Sequence, residues 1–284
     1  MKDIKNIKIK MNNGTSIPQF GLGTYLMNDE AAAKEAIKYA ISIGYKHIDC
    51  AFVYRNQKVV GQAIKESGVK REDLFITSKV WIDMTTKADV LKQIDTILED
   101  LETDYLDLCL IHWYTKYSVE MYKGLEEAYK QGKLKAIGVS NFMIEQLEQF
   151  LPQVNIVPQM NQFELNPLLR RPELVKYCFD KNIQVTSYQT IMKGKVGEIA
   201  EIQDLAKKYS VTPSQVALRW AIQKGIVVIP KSVTQSRLFE NQDISKFELT
   251  KEDIQLIDKI PTQKNNSLDP YTYGEKYFKE HGIK

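Results

Sequence analysis

Tyr45-Lys46-His47-Ile48-Asp49, Leu74-Phe75-Ile76-Thr77-Ser78-Lys79 and Tyr105-Leu106-Asp107-Leu108-Cys109-Leu110-Ile111-His112 are three short, largely apolar runs, each closed by an ionisable side chain. Apolar runs of this length, each beside an amphipathic segment, read as strands covered on both faces, the form parallel sheets take. As successive strands of one parallel sheet they gather Asp49, Lys79 and His112 at its carboxyl edge, where α/β enzymes place their chemistry. Burying an isolated Asp or Lys costs several kcal/mol at order of magnitude, so mutual pairing is the simplest way for both to persist there. Tyr54 follows Asp49 by five positions, in the next loop.

Outward from these runs, helix and strand patterns alternate along the chain. The pattern predicts helices over 29–43, 56–67, 87–101, 119–131, 143–150, 171–181, 196–209, 213–223, 235–241 and 251–259. Strands are expected over 19–23, 45–49, 74–79, 105–112, 136–139, 156–161, 184–188 and 227–229. Thr212-Pro213-Ser214-Gln215 is a helix start, with Thr212 as the cap and Pro213 at the first position. Ahead of the first strand, residues 5–11, the turn Asn12-Asn13-Gly14 and residues 15–18 form a hairpin able to floor a barrel. Eight parallel strands alternating with helices close a (β/α)8 barrel, here with an N-terminal hairpin and extra helices. The competing open, doubly wound sheet expects a Gly-x-Gly-x-x-Gly turn opening a helix. Gly21-Leu22-Gly23-Thr24 lacks the third glycine and is not followed directly by a helix.

The 284 residues, 43% of them hydrophobic, fit one large barrel or two ordinary domains. No Pro/Gly/Ser-rich linker divides them, so one domain over 1–284 is expected, with a C-terminal loop from about 261 to 284 rich in Tyr and Phe. The net charge of +3 comes from 39 Lys+Arg against 36 Asp+Glu, scattered without a basic stripe, which argues against a nucleic-acid partner. The start has no apolar signal core and no run approaches a membrane span, so a cytoplasmic protein is expected, a monomer with a weak dimer as the other outcome. Cys50, Cys109 and Cys178 are widely spaced without a Cys-x-x-Cys, and there are 3 His in all, so no disulfide scaffold and no metal centre is expected.

The polar set carries a definite chemistry. A phenol can donate a proton to a carbonyl oxygen, and its ordinary pKa near 10 falls beside a cation. Tyr54 is then the acid, Lys79 the cation, Asp49 the group that holds Lys79, and neutral His112 the donor or acceptor that fixes the substrate angle. On position alone another account stands beside this one: Asp49 and Lys79 as a structural ion pair, His112 as a satisfied core imidazole, Tyr54 as a loop aromatic. Past the strand over 227–229, Lys231, Ser232 and Arg237 lie at a helix start, where cations and free N–H groups make an anion site.

The order of motifs resembles the aldo-keto reductase family. The matching stretches are His47-Ile48-Asp49-Cys50-Ala51-x-x-Tyr54-x-Asn56-x-x-x-Val60-Gly61-x-Ala63-Ile64, Ile76-Thr77-Ser78-Lys79-Val80-Trp81 and Leu110-Ile111-His112-Trp113. They continue through Gly138-Val139-Ser140-Asn141-Phe142, Asn161-Gln162-Phe163-Glu164, Ile229-Pro230-Lys231-Ser232 and Arg237-x-x-Glu240-Asn241. The resemblance implies a (β/α)8 barrel that moves hydride between NADP(H) and a carbonyl without metal, with Tyr54 as acid assisted by Asp49, Lys79 and His112. It further implies that Ser140, Asn141 and Gln162 hold the carboxamide, that Tyr188 stacks on the nicotinamide, and that Gly23 and Thr24 border the cofactor. Lys231, Ser232 and Arg237 would take the 2′-phosphate, with Glu240 and Asn241 at the adenine end.

The chain departs from the family's common form in several places. Cys50 stands for a threonine, Gln57 for an acid, Tyr114 for a proline, Asn166-Pro167 for His-Pro, and Gln189-Thr190-Ile191 for Ser-Pro-Leu beside the pyrophosphate. Tyr25, Trp81 and Trp113 are expected to line an aromatic mouth, with Tyr271, Tyr273, Tyr277 and Phe278 of the tail folding across it. Small aldehydes, dicarbonyls, sugars and ketones all fit such a mouth. Alcohol oxidation by the same residues and a non-enzymatic NADPH-binding regulator are the alternative functions.

Overall fold

The computed structural model describes residues 3–263 and 268–283; the rest of the expected tail, 264–267 and 284, lies outside the described residues. Two antiparallel strands, β1 (Lys8–Lys10) and β2 (Ser16–Pro18), precede eight parallel ones. These are β3 (Leu22–Gly23), β4 (His47–Asp49), β5 (Phe75–Val80), β6 (Leu108–Ile111), β7 (Ile137–Ser140), β8 (Met160–Glu164), β9 (Gln184–Tyr188) and β10 (Val227–Val228). Each is hydrogen-bonded to the next in chain order. The ends of the sheet meet as well: Val228 N–H donates to Gln19 O at 3.0 Å and Gly21 N–H to Val228 O at 2.9 Å, so the sheet closes on itself.

Strand periodicity decides what faces the barrel axis. Odd positions of β5 point inward (Phe75, Thr77, Lys79), while Ile76 and Val80 join the outer apolar layer under the helices. Phe75, Leu108, Leu110, Ala136, Met160 and Val227 fill the lower interior and are sealed by Met11 and Ile17 of the hairpin, which is therefore the floor the sequence predicts. Polar inward positions come later along each strand, and so lie at the carboxyl end.

The helices largely follow their sequence signals: α1 (Glu30–Ser42), α2 (Gln57–Ser67), α3 (Lys87–Asp100), α4 (Ser118–Lys130), α5 (Ile144–Phe150), α6 (Pro172–Asp180), α7 (Ala200–Tyr209), α8 (Pro213–Gln223), α9 (Gln235–Gln242) and α10 (Lys251–Lys259). Asp29 caps α1 through the Ala32 N–H, and Thr212 with Gln215 forms a reciprocal capping box on α8.

Three expectations need correction. The strand expected over 156–161 runs instead from Met160 to Glu164, because the Glu126 carboxylate takes the Asn155 and Ile156 N–H groups and Pro158 has none to give. The helix expected from 196 begins at Ala200, after a 3-10 stretch (Met192–Glu198) in which Lys193 and Gly194 are left-handed, with φ of 56° and 93°. The C-terminal loop is in part a helix, α11 (Tyr273–His281), whose Tyr273, Tyr277 and Phe278 share a face at helical spacing.

Candidate active site

Asp49 ends β4, Lys79 lies near the end of β5, and His112 immediately follows β6, so the barrel register alone brings the three together. Lys79 Nζ donates to Asp49 Oδ1 at 2.6 Å and to Cys50 O at 2.9 Å, with Lys79 1% and Asp49 2% exposed. Pairing with satisfied neighbours is what makes two charges tolerable at that depth. The second oxygen, Asp49 Oδ2, accepts from Gln162 Nε2 at 2.8 Å.

Tyr54 closes a 3-10 turn (Phe52–Tyr54) that the left-handed Arg55, φ 58°, terminates. Its ring lies 5.6 Å from the His112 ring, 5.0 Å from Tyr25 and 5.3 Å from Lys79 Nζ. The hydroxyl makes no hydrogen bond to any described residue. Although part of the side chain remains accessible, the surrounding protein raises the phenol well above its usual range, and the Asp49 charge adds to this. The sequence predicts the opposite direction, from the Lys79 charge. That charge is committed to Asp49 at 2.6 Å, and burial together with the Asp49 charge outweighs it at the ring. Burial, then Lys79, hold the His112 imidazole well below its usual range, so it is neutral at pH 7. Its Nδ1 has no partner among the described residues.

A second polar group continues around the mouth. Asn141 Nδ2 donates to His112 O at 3.0 Å and to Ser140 Oγ at 3.1 Å, Ser140 Oγ donates to Gln162 O at 2.8 Å, and Tyr188 OH donates to Asn141 Oδ1 at 2.7 Å. Ser140, Asn141, Gln162 and Tyr188 thus form one network adjoining Asp49 and His112. Asn141 is left-handed at φ 61°, which turns its amide to this side.

Gly23 and Thr24 sit at the end of β3. A Cβ on Gly23 would meet Ile229 O at 2.7 Å, so glycine is needed for the strand ends to close there. The Thr24 hydroxyl is bonded to Asp49 O at 3.0 Å and the Thr24 carbonyl accepts from Asn56 Nδ2 at 2.9 Å, so both stabilise the loop. Beyond β10, Lys231 is half-buried with no carboxylate partner among the described residues, and burial lowers its pKa. Ser232 Oγ accepts from Thr234 N–H at 3.0 Å ahead of α9. Arg237, on the first turn of α9, is exposed and likewise unpaired among the described residues. Glu240 accepts from Thr212 at 3.0 Å, and Asn241 is buried beside it.

Trp81 packs 5.2 Å from His112 and 5.5 Å from Tyr277, and Trp113 packs 4.6 Å from Tyr273, so α11 does lie at the mouth beside both tryptophans. Tyr25 is 54% exposed at the rim. Tyr271 is not part of the mouth cluster; its hydroxyl bonds Glu145 on α5.

Similarity to known proteins fits this geometry. The family model described as the aldo/keto reductase family matches residues 19–261. This chain belongs to the aldo/keto reductase family. A glyoxal reductase of Bacillus subtilis is 43% identical over 254 residues, covering 89% of this chain and 92% of the relative. Methylglyoxal reductase DkgA of Escherichia coli K12 is 39% identical over 271 residues, covering 94% and 98%. Among solved structures, an aldo-keto reductase from a Medee basin deep-sea metagenome library superposes with a TM-score of 0.90 at 37% identity, covering 92% and 98%. A silkworm aldo-keto reductase crystallised with NADPH gives 0.87 at 35% identity, covering 92% and 90%.

Some site neighbours of this aldo/keto reductase escaped the sequence reading. Phe52 and Val53 join the aromatic cluster of the mouth, and Gln93 Oε1 accepts the Trp81 N–H at 2.6 Å. The first two lie between Asp49 and Tyr54, so spacing could have found them; Gln93 had no such signal. Gln57, in place of an acid, accepts from Ser78 Oγ behind the lysine strand. Cys50 is fully buried and burial pushes its thiol up to about 12, so it is not a reactive thiol.

Proposed function

We propose that this chain uses NADPH to reduce small aldehydes and ketones, α-dicarbonyls of the glyoxal class among them, to alcohols. The observation that carries the reading is the unpartnered Tyr54 hydroxyl at the meeting point of neutral His112, the Asp49–Lys79 pair and an aromatic mouth. The half-buried, unpaired Lys231 and the nearby unpaired Arg237 suit a phosphate, so the residues present fit the cofactor. NADPH, when bound, supplies the hydride.

The chain's own residues do the rest. Ser140, Asn141 and Gln162 offer amide and hydroxyl groups to the carboxamide, and Tyr188 offers its ring to the nicotinamide. Lys231, Ser232 and Arg237 hold the 2′-phosphate, Glu240 and Asn241 border the adenine, and Gly23 and Thr24 shape the adjoining wall. Tyr54 gives its proton to the carbonyl oxygen as negative charge grows there, while His112 fixes that oxygen's position. Lys79, restrained by Asp49, stabilises the phenolate left behind. Tyr25, Trp81 and Trp113 exclude water and select uncharged carbonyls.

Run in reverse, the same residues would oxidise an alcohol with the Tyr54 phenolate as base; the relatives named as reductases favour the reductive reading. A non-enzymatic regulator has no need of a free phenol in this position. The fold, hairpin and α11 included, acts as one domain. No helix among the described residues is long and apolar enough to cross a membrane; we place the enzyme in the cytoplasm, as a monomer with no nucleic-acid partner.

The test is Tyr54→Phe, assayed by NADPH oxidation with methylglyoxal and a panel of simple aldehydes. The expected result is a loss of about 10²–10⁴-fold in kcat, with NADPH affinity close to that of the parent. Retention of most of kcat overturns the assignment.

A further inference from the structure

Gln162 does something that a carboxamide contact alone does not require. It projects from β8, four strands away from β4 in the sheet order and therefore across the barrel, and its Nε2 donates to Asp49 Oδ2 at 2.8 Å. The other oxygen of the same carboxylate holds Lys79 at 2.6 Å. Gln162 is 3% exposed and Asp49 2%, so water does not compete freely for that bond. With both oxygens bound, the carboxylate plane is fixed, and with it the direction in which Lys79 Nζ points.

We infer that Gln162 is a positioning residue for the Asp49–Lys79 pair, so that occupancy of its amide by cofactor is felt at the proton donor. This rests on the reading of Tyr54 as the donor and NADP(H) as the cofactor. The Gln162 amide has two N–H donors, one of them given to Asp49. A ligand that competes for that donor leaves more carboxylate charge facing the Tyr54 ring and raises the phenol, which keeps its proton in place until a carbonyl oxygen develops the charge to take it.

The ionisable groups facing this centre are few. Asp49 and Cys50 approach Tyr54 from β4 and the residue after it, Lys79 from β5, His112 from the end of β6 and Tyr25 from the loop after β3. Asp49 itself is faced by Lys79, by Gln162 and by the electrostatic influence of His47 on its own strand. Burial keeps the Cys50 thiol protonated and the His112 imidazole neutral. The charge that matters to the phenol is therefore that of the pair Gln162 restrains.

The experiment reads the phenol without turnover. Oxidised NADP⁺ carries a positive nicotinamide, so its affinity rises as the phenol ionises. Its dissociation constant, measured by tryptophan fluorescence from about pH 6 to about pH 11, gives a midpoint for the phenol's ionisation in the complex, where the positive ring brings it down from its value in the free chain. Gln162→Met removes the donor at similar volume, and Gln162→Asn shortens it out of reach; circular dichroism checks the fold of each. Losing a neutral hydrogen bond on Asp49 leaves more charge on the carboxylate, so the midpoint should rise by about half to one pH unit in both variants. Ser140→Ala, which removes a carboxamide partner without touching Asp49, should weaken NADP⁺ while leaving the midpoint in place. Weaker NADP⁺ binding with an unmoved midpoint in both Gln162 variants overturns the positioning role alone. Failure of the parent chain to bind NADP⁺ overturns the cofactor reading and this inference together.

Discussion

Acid should destabilise this barrel through a residue that takes no part in the chemistry. His47 points into the lower barrel, 1% exposed, with its Nε2 3.0 Å from Thr77 Oγ1. Burial lowers its pKa from 6.5 to about 4, with Asp49 opposing the shift and Lys79 adding to it. Below the unfolded value the unfolded chain takes up a proton that the folded chain refuses. The stabilisation is therefore complete above pH 6.5 and is lost progressively as pH falls to about 4. The full difference is worth about 3 kcal/mol, and about 2 kcal/mol of it is spent between roughly pH 7.5 and pH 5. Equilibrium urea unfolding at a series of pH values, for the parent and for His47→Gln, isolates the term as the difference in slope, because His112 and the carboxylates are common to both. The Gln variant should show a shallower acid loss by about 2 kcal/mol over that interval. Parallel curves for the two chains refute the argument.

Two further outcomes test the outer parts of the site. Removing Lys231 and Arg237 together (Lys231→Ala with Arg237→Ala) should weaken NADPH far more than NADH in fluorescence titration, by about 10²-fold or more, since charge-assisted bonds are worth about 1.5–3 kcal/mol each; equal losses count against a phosphate site. Gly274 packs where a Cβ would meet Tyr114 O at 2.3 Å, so Gly274→Val should push α11 off Trp81 and Trp113, raising KM and relaxing selectivity for bulky aldehydes with a smaller effect on NADPH affinity. Unchanged steady-state constants across small and bulky substrates would remove α11 from the specificity-determining wall.

What the sequence discloses here follows from the range of the interactions involved. Buried strands ending in Asp49, Lys79 and His112 are legible because a charge in an apolar run is locally anomalous, and the Thr212-Pro213-Gln215 start of α8 because capping is local. β8 was displaced because its upstream N–H groups are satisfied by Glu126, some thirty residues away. The α11 stripe was missed because its helix spans only 9 residues, with Tyr273, Tyr277 and Phe278 on one face, too few for a period to emerge. The direction of the Tyr54 shift depends on how completely Lys79 is committed to Asp49, and the Gln162–Asp49 bond joins residues 113 apart. Neither leaves a local trace.

The hairpin floor has a consequence for proton supply. A barrel plugged by Met11, Ile17 and the apolar layer above them is a blind alley. Beneath Lys79 stand Thr77 and then Phe75, and His47, held near pKa 4, stays neutral across the working range and cannot pass charge downward. Each proton that Tyr54 surrenders must therefore be restored from the same opening through which the alcohol leaves. Reprotonation and product exit share one corridor, framed by Trp81, Trp113 and α11, so crowding that corridor slows the resetting of the acid as well as the departure of the product.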